Sequence, residues 1–592
     1  MGSVDSFLGL TYEFSSIDKK ELLDQITGNY YRIFSQRPGI SLSQSWSGSI
    51  DILKKSLKDG IPVIIEYIFP IGLERVDFIL VGSGRALLIE MKGWKKYEEL
   101  NEYVVNTDLG LQPPPCYQAE NYLSKFQNFH SASKDMSFDS CVMMYHTTDG
   151  KDCQIFYSPE ELNRKIAPVL ESPGGREDVE KITGGHFVFS KPLIDFVRMN
   201  KDRLLESPSR ALQGNGLGLS SDQSVAVGRV LLDLKGGKST VYLIRGTMGS
   251  GKTLVALTML FTAVSQGFHA LLGYRNNRLI NTLRKSVDPR VRDLLQFYST
   301  GFYGTGIGEP NFRDSFIKDG LDLVIYDEAQ RMTKSVIELS MVRSPVSVYF
   351  FDEEQILLGD EYGTRDHFLQ IAGTHGKNVV EIELDGIYRV RDGRRYDIFL
   401  RSLLSGSPER FSFDYEFRCY SDLSLLLKEL EMHRSNGEKV ALVASFTESE
   451  GRKVKLRIRD PPIEWLMDPK TEYPAYWIDQ VDVLKKCASV YGSQGFEADF
   501  VGVIWGKDLV WRNGWKINPG AITDDVGGQH SLKRLSVTNP QLARELMVNR
   551  YRILLTRGIK GTFVYFEDNE TMKYFESIAP EAFIKDFAAR SN

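Results

Sequence analysis

Residues 246 to 253 read Gly246-Thr247-Met248-Gly249-Ser250-Gly251-Lys252-Thr253, a glycine-rich turn closed by a lysine and a hydroxyl. The apolar run Val241 to Ile244 before it predicts a strand, and the apolar stretch from Thr253 onward predicts a helix. At such a turn the backbone N–H groups point into one concavity, and Gly246, Gly249 and Gly251 let that backbone close on phosphate oxygens. Lys252 then reaches the β- and γ-phosphates of a nucleotide, and Thr253 offers its hydroxyl to Mg2+. Further along, Leu323-Val324-Ile325-Tyr326-Asp327-Glu328 is an apolar strand that ends in two carboxylates. Asp327 suits Mg2+, directly or through water, and Glu328 suits orienting and deprotonating an attacking water.

A second set of chemical groups lies near the amino terminus. In Leu87-Leu88-Ile89-Glu90-Met91-Lys92 the alternation of a strand puts Glu90 and Lys92 on one face and Ile89 and Met91 on the other. Asp77, in Arg75-Val76-Asp77-Phe78-Ile79, sits on a preceding strand joined through Gly82-Ser83-Gly84, so Asp77 and Glu90 can lie side by side. Two carboxylates at one strand-pair end form a hard-oxygen site for Mg2+, with Mn2+ as the alternative, and Lys92 beside it can position water and stabilise developing charge. A Glu-x-Lys tripeptide alone is common on solvated strand faces; the added Asp77 gives it meaning. The arrangement resembles the PD-(D/E)xK nuclease superfamily, which implies Asp77, Glu90 and Lys92 as its signature residues. Glu66 is a further candidate for the metal site or its support. Gln118, after Pro115-Cys116-Tyr117, resembles the helix glutamine that accompanies such sites, and the proline also fits a plain helix start.

Leu323 to Gln330, with its Asp-Glu-Ala-Gln box, resembles the second motif of superfamily 1 helicases, and other short segments follow in that family's order. Leu219-Ser220-Ser221-Asp222-Gln223 resembles the segment whose glutamine reads adenine, which implies ATP and Gln223. Phe350-Phe351-Asp352-Glu353-Glu354-Gln355 resembles the third motif, with Gln355 as γ-phosphate and nucleic-acid sensor and Phe351 where the family has glycine. Tyr388-Arg389 resembles the fourth motif, implying that Arg389 contacts the γ-phosphate. Ser493-Gln494-Gly495-Phe496-Glu497 resembles the fifth, implying ribose binding by Glu497, and Leu554-Leu555-Thr556-Arg557 the sixth, implying Arg557 as arginine finger. Residues 219 to 570 are most similar to a bacterial and archaeal helicase-like family related to the carboxy-terminal helicase of Schlafen proteins.

These groups need strands and helices to hold them. Ile50 to Leu57 predicts a helix; Val63 to Tyr67, Arg75 to Val81 and Ala86 to Met91 predict strands; a helix follows Pro113-Pro114-Pro115. Past residue 240 short apolar strands alternate with helices, which predicts parallel sheets with ligands at their carboxyl ends. The expected fold is therefore α/β: a PD-(D/E)xK nuclease-like domain over residues 1–206, a glycine-rich linker over 207–221, and two RecA-like domains over 222–380 and 381–592. The formal charge of −5 over 592 residues gives no general attraction for a polyanion, so a nucleic-acid surface has to be local. Trp94 to Tyr97 and the series Arg278, Arg284, Lys285 and Arg290 are basic candidates for it, though solvated loops explain them equally well. The five scattered cysteines lack metal-ligand spacing and read as reduced thiols. No apolar run reaches the roughly 20 residues of a membrane span, so the expected location is cytoplasmic, with no membrane partner.

Together the two constellations predict an ATP- and Mg2+-dependent nuclease–helicase acting on nucleic acid, DNA ahead of RNA. Such fusions resemble antiviral defence proteins; repair and recombination are the alternative setting. An ATP-switched clamp with a non-cutting front domain is the alternative activity.

Overall fold

The computed structural model describes residues 10–11, 17–34, 37–57, 60–69, 74–147, 155–187, 192–298, 320–387, 393–407, 415–445, 462–478 and 480–584. The chain divides into two compact units, Met1–Ser190 with Ser207–Leu232, and Lys191–Glu206 with Asp233–Asn592.

The first unit is built on a six-stranded mixed sheet. Its strands are β1 (Leu10–Thr11), β2 (Val63–Ile68), β3 (Arg75–Gly82), β4 (Arg85–Lys92), β8 (Ser137–Met144) and β9 (Ile155–Phe156), in the spatial order β1-β2-β3-β4-β8-β9. A separate three-stranded meander is formed by β5 (Tyr97–Asn101), β6 (Val104–Thr107) and β7 (Gly110–Gln112). β2, β3 and β4 are antiparallel neighbours, whereas β8 runs parallel to β4 after the helix Pro115–Phe129. Both sheet faces are apolar. Val63, Ile65, Leu80, Leu87 and Ile89 pack with Leu22, Ile26, Ile50 and Leu53 of two amino-terminal helices, while Ile64, Ile79 and Leu88 pack with Tyr122 and Phe126. The alternation slips midway through β2 and β3: Ile64 and Tyr67 belong to one core, as do Ile79 and Val76. The slip falls at Glu66 and Asp77, where Glu66 adopts a left-handed backbone with φ 54°.

The segment Ser207 to Ser221, read as a linker, is folded into this unit. It contains the helix Pro208–Gln213, Leu212 is buried, and Leu219 N donates to Tyr117 Oη at 2.7 Å. Its glycines serve close approach: a Cβ on Gly218 would sit 2.3 Å from Asn121 Oδ1, and one on Gly216 2.4 Å from Phe129. Helix Ser221–Lys235 follows.

The second unit contains two wholly parallel sheets. The first has β10 (Thr240–Gly246), β11 (Ala270–Tyr274), β12 (Leu295–Phe297), β13 (Leu323–Asp327), β14 (Val346–Phe351) and β15 (Asn378–Leu384), in the order β12-β11-β13-β14-β10-β15. The second has β16 (Glu416–Tyr420), β17 (Val440–Ala444), β18 (Glu464–Trp465), β19 (Lys486–Ser489), β20 (Ala498–Trp505), β23 (Gly558–Phe566) and β24 (Phe583–Ile584), in the order β18-β19-β17-β20-β23-β16-β24. The remaining strands, β21 (Leu509–Trp511) and β22 (Trp515–Ile517), form a hairpin. Strands buried on both faces explain the unbroken apolar runs Val346–Phe351 and Val440–Ala444. No described helix is long and apolar enough to cross a membrane. Cys141, Cys419 and Cys487 are buried free thiols. Cys116 is disulfide-bonded, so the reading of all five cysteines as reduced does not hold for it.

Candidate active sites

In the second unit β10 lies between β14 and β15, and the chain leaves it to cross over to β11 on the far side of β13. A strand-order reversal of this kind opens a crevice at the carboxyl edge. The glycine-rich loop occupies it, between β10 and the helix Lys252–Ser265. Gly249 and Gly251 have φ of 84° and 82°, which suits residues without a Cβ, and a Cβ on Gly246 would lie 2.3 Å from Ser250 Oγ. Lys252 Nζ donates to the carbonyls of Gly246 at 2.7 Å and Thr247 at 3.1 Å, and lies 3.8 Å from Asp352 Oδ2. A lysine folded onto its own loop is a donor that phosphate oxygens can take over.

β13 delivers the acidic pair. Thr253 Oγ1 donates to Asp327 Oδ2 at 2.7 Å, bringing together the two hard oxygens that would hold Mg2+. Burial, reinforced by the neighbouring Glu328, pushes the Asp327 carboxyl up to about 7, and a divalent cation reverses that balance. Glu328 is buried, with φ 54°, and its Oε2 accepts from Gln330 Nε2 at 2.5 Å and from Gln494 Nε2 at 3.2 Å. Gln355 follows β14 and donates through Nε2 to Asp352 Oδ2 at 2.8 Å. Phe351, in the place of the family's glycine, is a core residue packed 5.4 Å from Phe368.

The second sheet reaches the same loop. Arg557 is buried between the helix Pro540–Leu555 and β23; its Nε donates to Ile553 O at 2.9 Å and its Nη2 lies 3.1 Å from Met248 Sδ in the phosphate loop. Lys252, Thr253, Asp327, Glu328 and Arg557 are thus gathered at one edge, with Gln355 adjoining through Asp352. Glu497 is half-buried just before β20. Arg389 lies outside the described residues. Gln223 belongs to the first unit, where it and Ser220 form reciprocal bonds, Ser220 N to Gln223 Oε1 at 3.0 Å and Gln223 N to Ser220 Oγ at 3.4 Å, the pattern of a helix capping box.

Sequence reading missed two polar clusters that join the sheets, the first buried and the second partly exposed. Arg331 Nη1 donates to Gln494 Oε1 at 3.0 Å and its Nε to Glu361 Oε1 at 2.9 Å. Glu354 is bridged by Arg401 Nη2 at 2.7 Å and Arg552 Nη1 at 2.5 Å. Arginines next to known motifs were the available signal, but their partners are far away in sequence. Within the basic series Arg284 donates to Leu295 O and Arg278 lies over the Tyr473 ring, while Lys285 and Arg290, the latter paired with Asp288, are exposed.

In the first unit the register Phe78↔Ile89 sets Asp77 beside Glu90 across β3 and β4. Asp77 Oδ2 accepts from Met91 N at 2.7 Å, and Lys92 Nζ is 2.6 Å from Glu90 Oε1. Burial, then the adjacent Asp77, push the Glu90 carboxyl up to about 7, and burial raises Asp77 as well. Glu90 Oε2 is buried without a hydrogen-bond partner, the kind of orphaned oxygen that a metal ion satisfies. Glu66 turns to Arg75 at 2.8 Å, while burial lifts it to about 8. Gln118 Nε2 donates to Ser221 Oγ at 3.1 Å. Trp94 and Tyr97 are buried and stacked at 6.3 Å, leaving Lys95 and Lys96 exposed. Among the described residues the one group of three acidic, histidine or cysteine side chains with ligand atoms within 4.8 Å is Glu416, Glu429 and His433. Within that group Glu416 is paired with Arg418, and His433 lies 2.6 Å from Glu438.

Residues 239–568 match the model of the Schlafen group 3 DNA/RNA helicase domain, and the chain belongs to that family. An uncharacterized protein of Saccharomyces cerevisiae is 30% identical over 98 residues, which are 16% of this chain; the chain spans about a fifth, 21%, of that relative's length. Among solved structures, nonstructural protein 10 of an arterivirus, a helicase in complex with DNA, is 9% identical with a TM-score of 0.26, covering 59% of this chain and 64% of that one. Pif1 helicase from Candida albicans is 11% identical with a TM-score of 0.29, covering 61% of this chain and 99% of that one. A Pif1 structure concerned with DNA unwinding at forked duplexes is 12% identical with a TM-score of 0.27, over 61% and 97%.

Proposed function

We propose that this chain is an ATP-driven nucleic-acid motor whose first unit is a metal-dependent phosphodiesterase of the PD-(D/E)xK type. The observation that carries the motor reading is the reach of Arg557 from one parallel sheet to Met248 in the phosphate loop of the other. With ATP bound, Lys252 and the loop amides hold the phosphates, Thr253 and Asp327 hold Mg2+, and Glu328 orients the attacking water. Arg557, and Arg389 by its motif, neutralise charge on the γ-phosphate, so closure follows binding and reopening follows hydrolysis. Family membership favours nucleic acid as the polymer moved. We take Glu497 as the ribose contact, on its motif position.

For the first unit, Asp77 and Glu90 hold Mg2+ or Mn2+, and Lys92 steadies the water that attacks phosphorus. Supporting this are the strand register that pairs the two carboxylates and the orphaned Glu90 Oε2. DNA is the proposed substrate and defence against invading nucleic acid the proposed setting, on the resemblance of such fusions. In a cleavage assay with Mg2+ or Mn2+, Lys92→Ala lowers cleavage at least about 100-fold while ATP turnover stays. Cleavage unchanged in both Lys92→Ala and Asp77→Ala makes the first unit a non-cutting clamp. Plaque counts in cells expressing Lys92→Ala and Lys252→Ala separate defence from repair.

A further inference from the structure

Glu328 is held from two directions. Its backbone is left-handed, a conformation that a residue with a Cβ keeps only where its surroundings fix it. Gln330, two residues on, supplies one donor to Oε2; the other comes from Gln494, carried by the second sheet just after the helix Val490–Ser493. The orientation of the Gln494 amide is dictated by its neighbours. Arg331 has only donors, so the oxygen it meets at 3.0 Å is Oε1, and the NH2 group therefore faces Glu328. Arg331 is itself anchored by Glu361 at 2.9 Å. The backbone of the same turn is tied to the first sheet by Asn276, whose Nδ2 donates to Tyr491 O at 3.0 Å and to Gln494 O at 3.1 Å, while its Oδ1 caps the helix Asn277–Ser286. Asn276, Glu328, Gln330, Arg331 and Gln494 are all buried, so water does not compete for these bonds.

We propose that Gln494 is a positioning residue for ATP hydrolysis: its amide donates to the Glu328 carboxylate only while the two sheets are closed on each other, and so fixes the angle from which Glu328 holds the attacking water. The inference rests on the reading of Glu328 as the water-orienting group. When the second sheet moves away, Gln494 leaves with it and Glu328 keeps only Gln330. Hydrolysis is thereby tied to closure by a contact that touches neither nucleotide nor metal.

The test is steady-state ATP hydrolysis by the full chain with saturating single-stranded DNA, comparing Gln494→Met, Gln494→Glu and Glu328→Gln. Methionine keeps the length without any donor; glutamate keeps an acceptor for Arg331 and removes the donor to Glu328. Loss of a hydrogen bond to a charged group predicts kcat lowered about 10- to 100-fold in both Gln494 variants, with the KM for ATP within about twofold of the unmodified protein. A defect in Gln494→Met that Gln494→Glu restores, or a KM that rises in step with the fall in kcat, assigns Gln494 to structure and overturns the proposal. Turnover lost in Glu328→Gln but normal in Gln494→Met overturns the proposal alone. Turnover that survives Glu328→Gln removes the reading of Glu328 and the proposal with it.

Discussion

His130 shows how far burial governs a single titratable group in the first unit. Its ring lies 5.0 Å from Phe126 and 4.7 Å from Phe187, and its Nδ1 accepts from Ala132 N at 3.1 Å. Burial holds the imidazole down to about 4, whereas an unfolded histidine titrates near 6.5. Between those values the unfolded chain binds a proton that the folded one refuses, so this contribution to stability is present above pH 6.5 and is lost as pH falls toward 4. Hydrogen exchange of the amides in Pro115–Phe129, corrected for the intrinsic rate, is expected to speed up over that window. His130→Asn, which keeps an acceptor for Ala132 N, flattens the dependence; an unchanged acid limb in that variant contradicts the assignment. Residue types alone pointed to the glycine-rich loop, the Asp327–Glu328 pair and the Asp77, Glu90 and Lys92 set as candidates, because each is contiguous or lies on neighbouring strands. The bond from Gln494 to Glu328 spans 166 residues, and nothing local announces it. Likewise Glu66 was visible as an acid, but its left-handed backbone and its turn toward Arg75 depend on packing.

At the scale of elements, the loop after β13 is shaped by a neighbour as much as by its own sequence. Gly363 donates to Gln330 O at 3.3 Å, and a Cβ there would sit 2.1 Å from Ala329 O and 2.6 Å from Gln330 Cα. Those are backbone atoms, so the loop itself has to shift, and Gln330 with it. Gly363→Ala is therefore expected to lower ATP turnover about tenfold or more without touching the nucleotide; turnover equal to the unmodified protein would show that the loop yields freely. Strands were legible from apolar periodicity: the three around Asp77 and Glu90 lie where the pattern predicts. The stretch 207–221 was not, since glycines that admit Phe129 and Asn121 look, in sequence, the same as glycines that confer flexibility.

At the scale of the whole molecule, the chain joins a mixed-sheet unit bearing a carboxylate pair and a lysine to a unit of two parallel sheets in which Arg557 reaches the glycine-rich loop. The order of the motor motifs made the second unit recognisable, and the family match over residues 239–568 agrees with it. In the second unit, Glu354 between Arg401 and Arg552, and Gln494 between Arg331 and Glu328, make the two sheets one electrostatic system. A motor built on that system turns over ATP in response to a polymer. ATP hydrolysis measured in parallel with single-stranded DNA, duplex DNA and RNA, for the unmodified chain and Lys252→Ala, tests it most directly. The prediction is turnover stimulated at least about tenfold by one of the three polymers and abolished by Lys252→Ala; turnover indifferent to all three, or surviving Lys252→Ala, contradicts it.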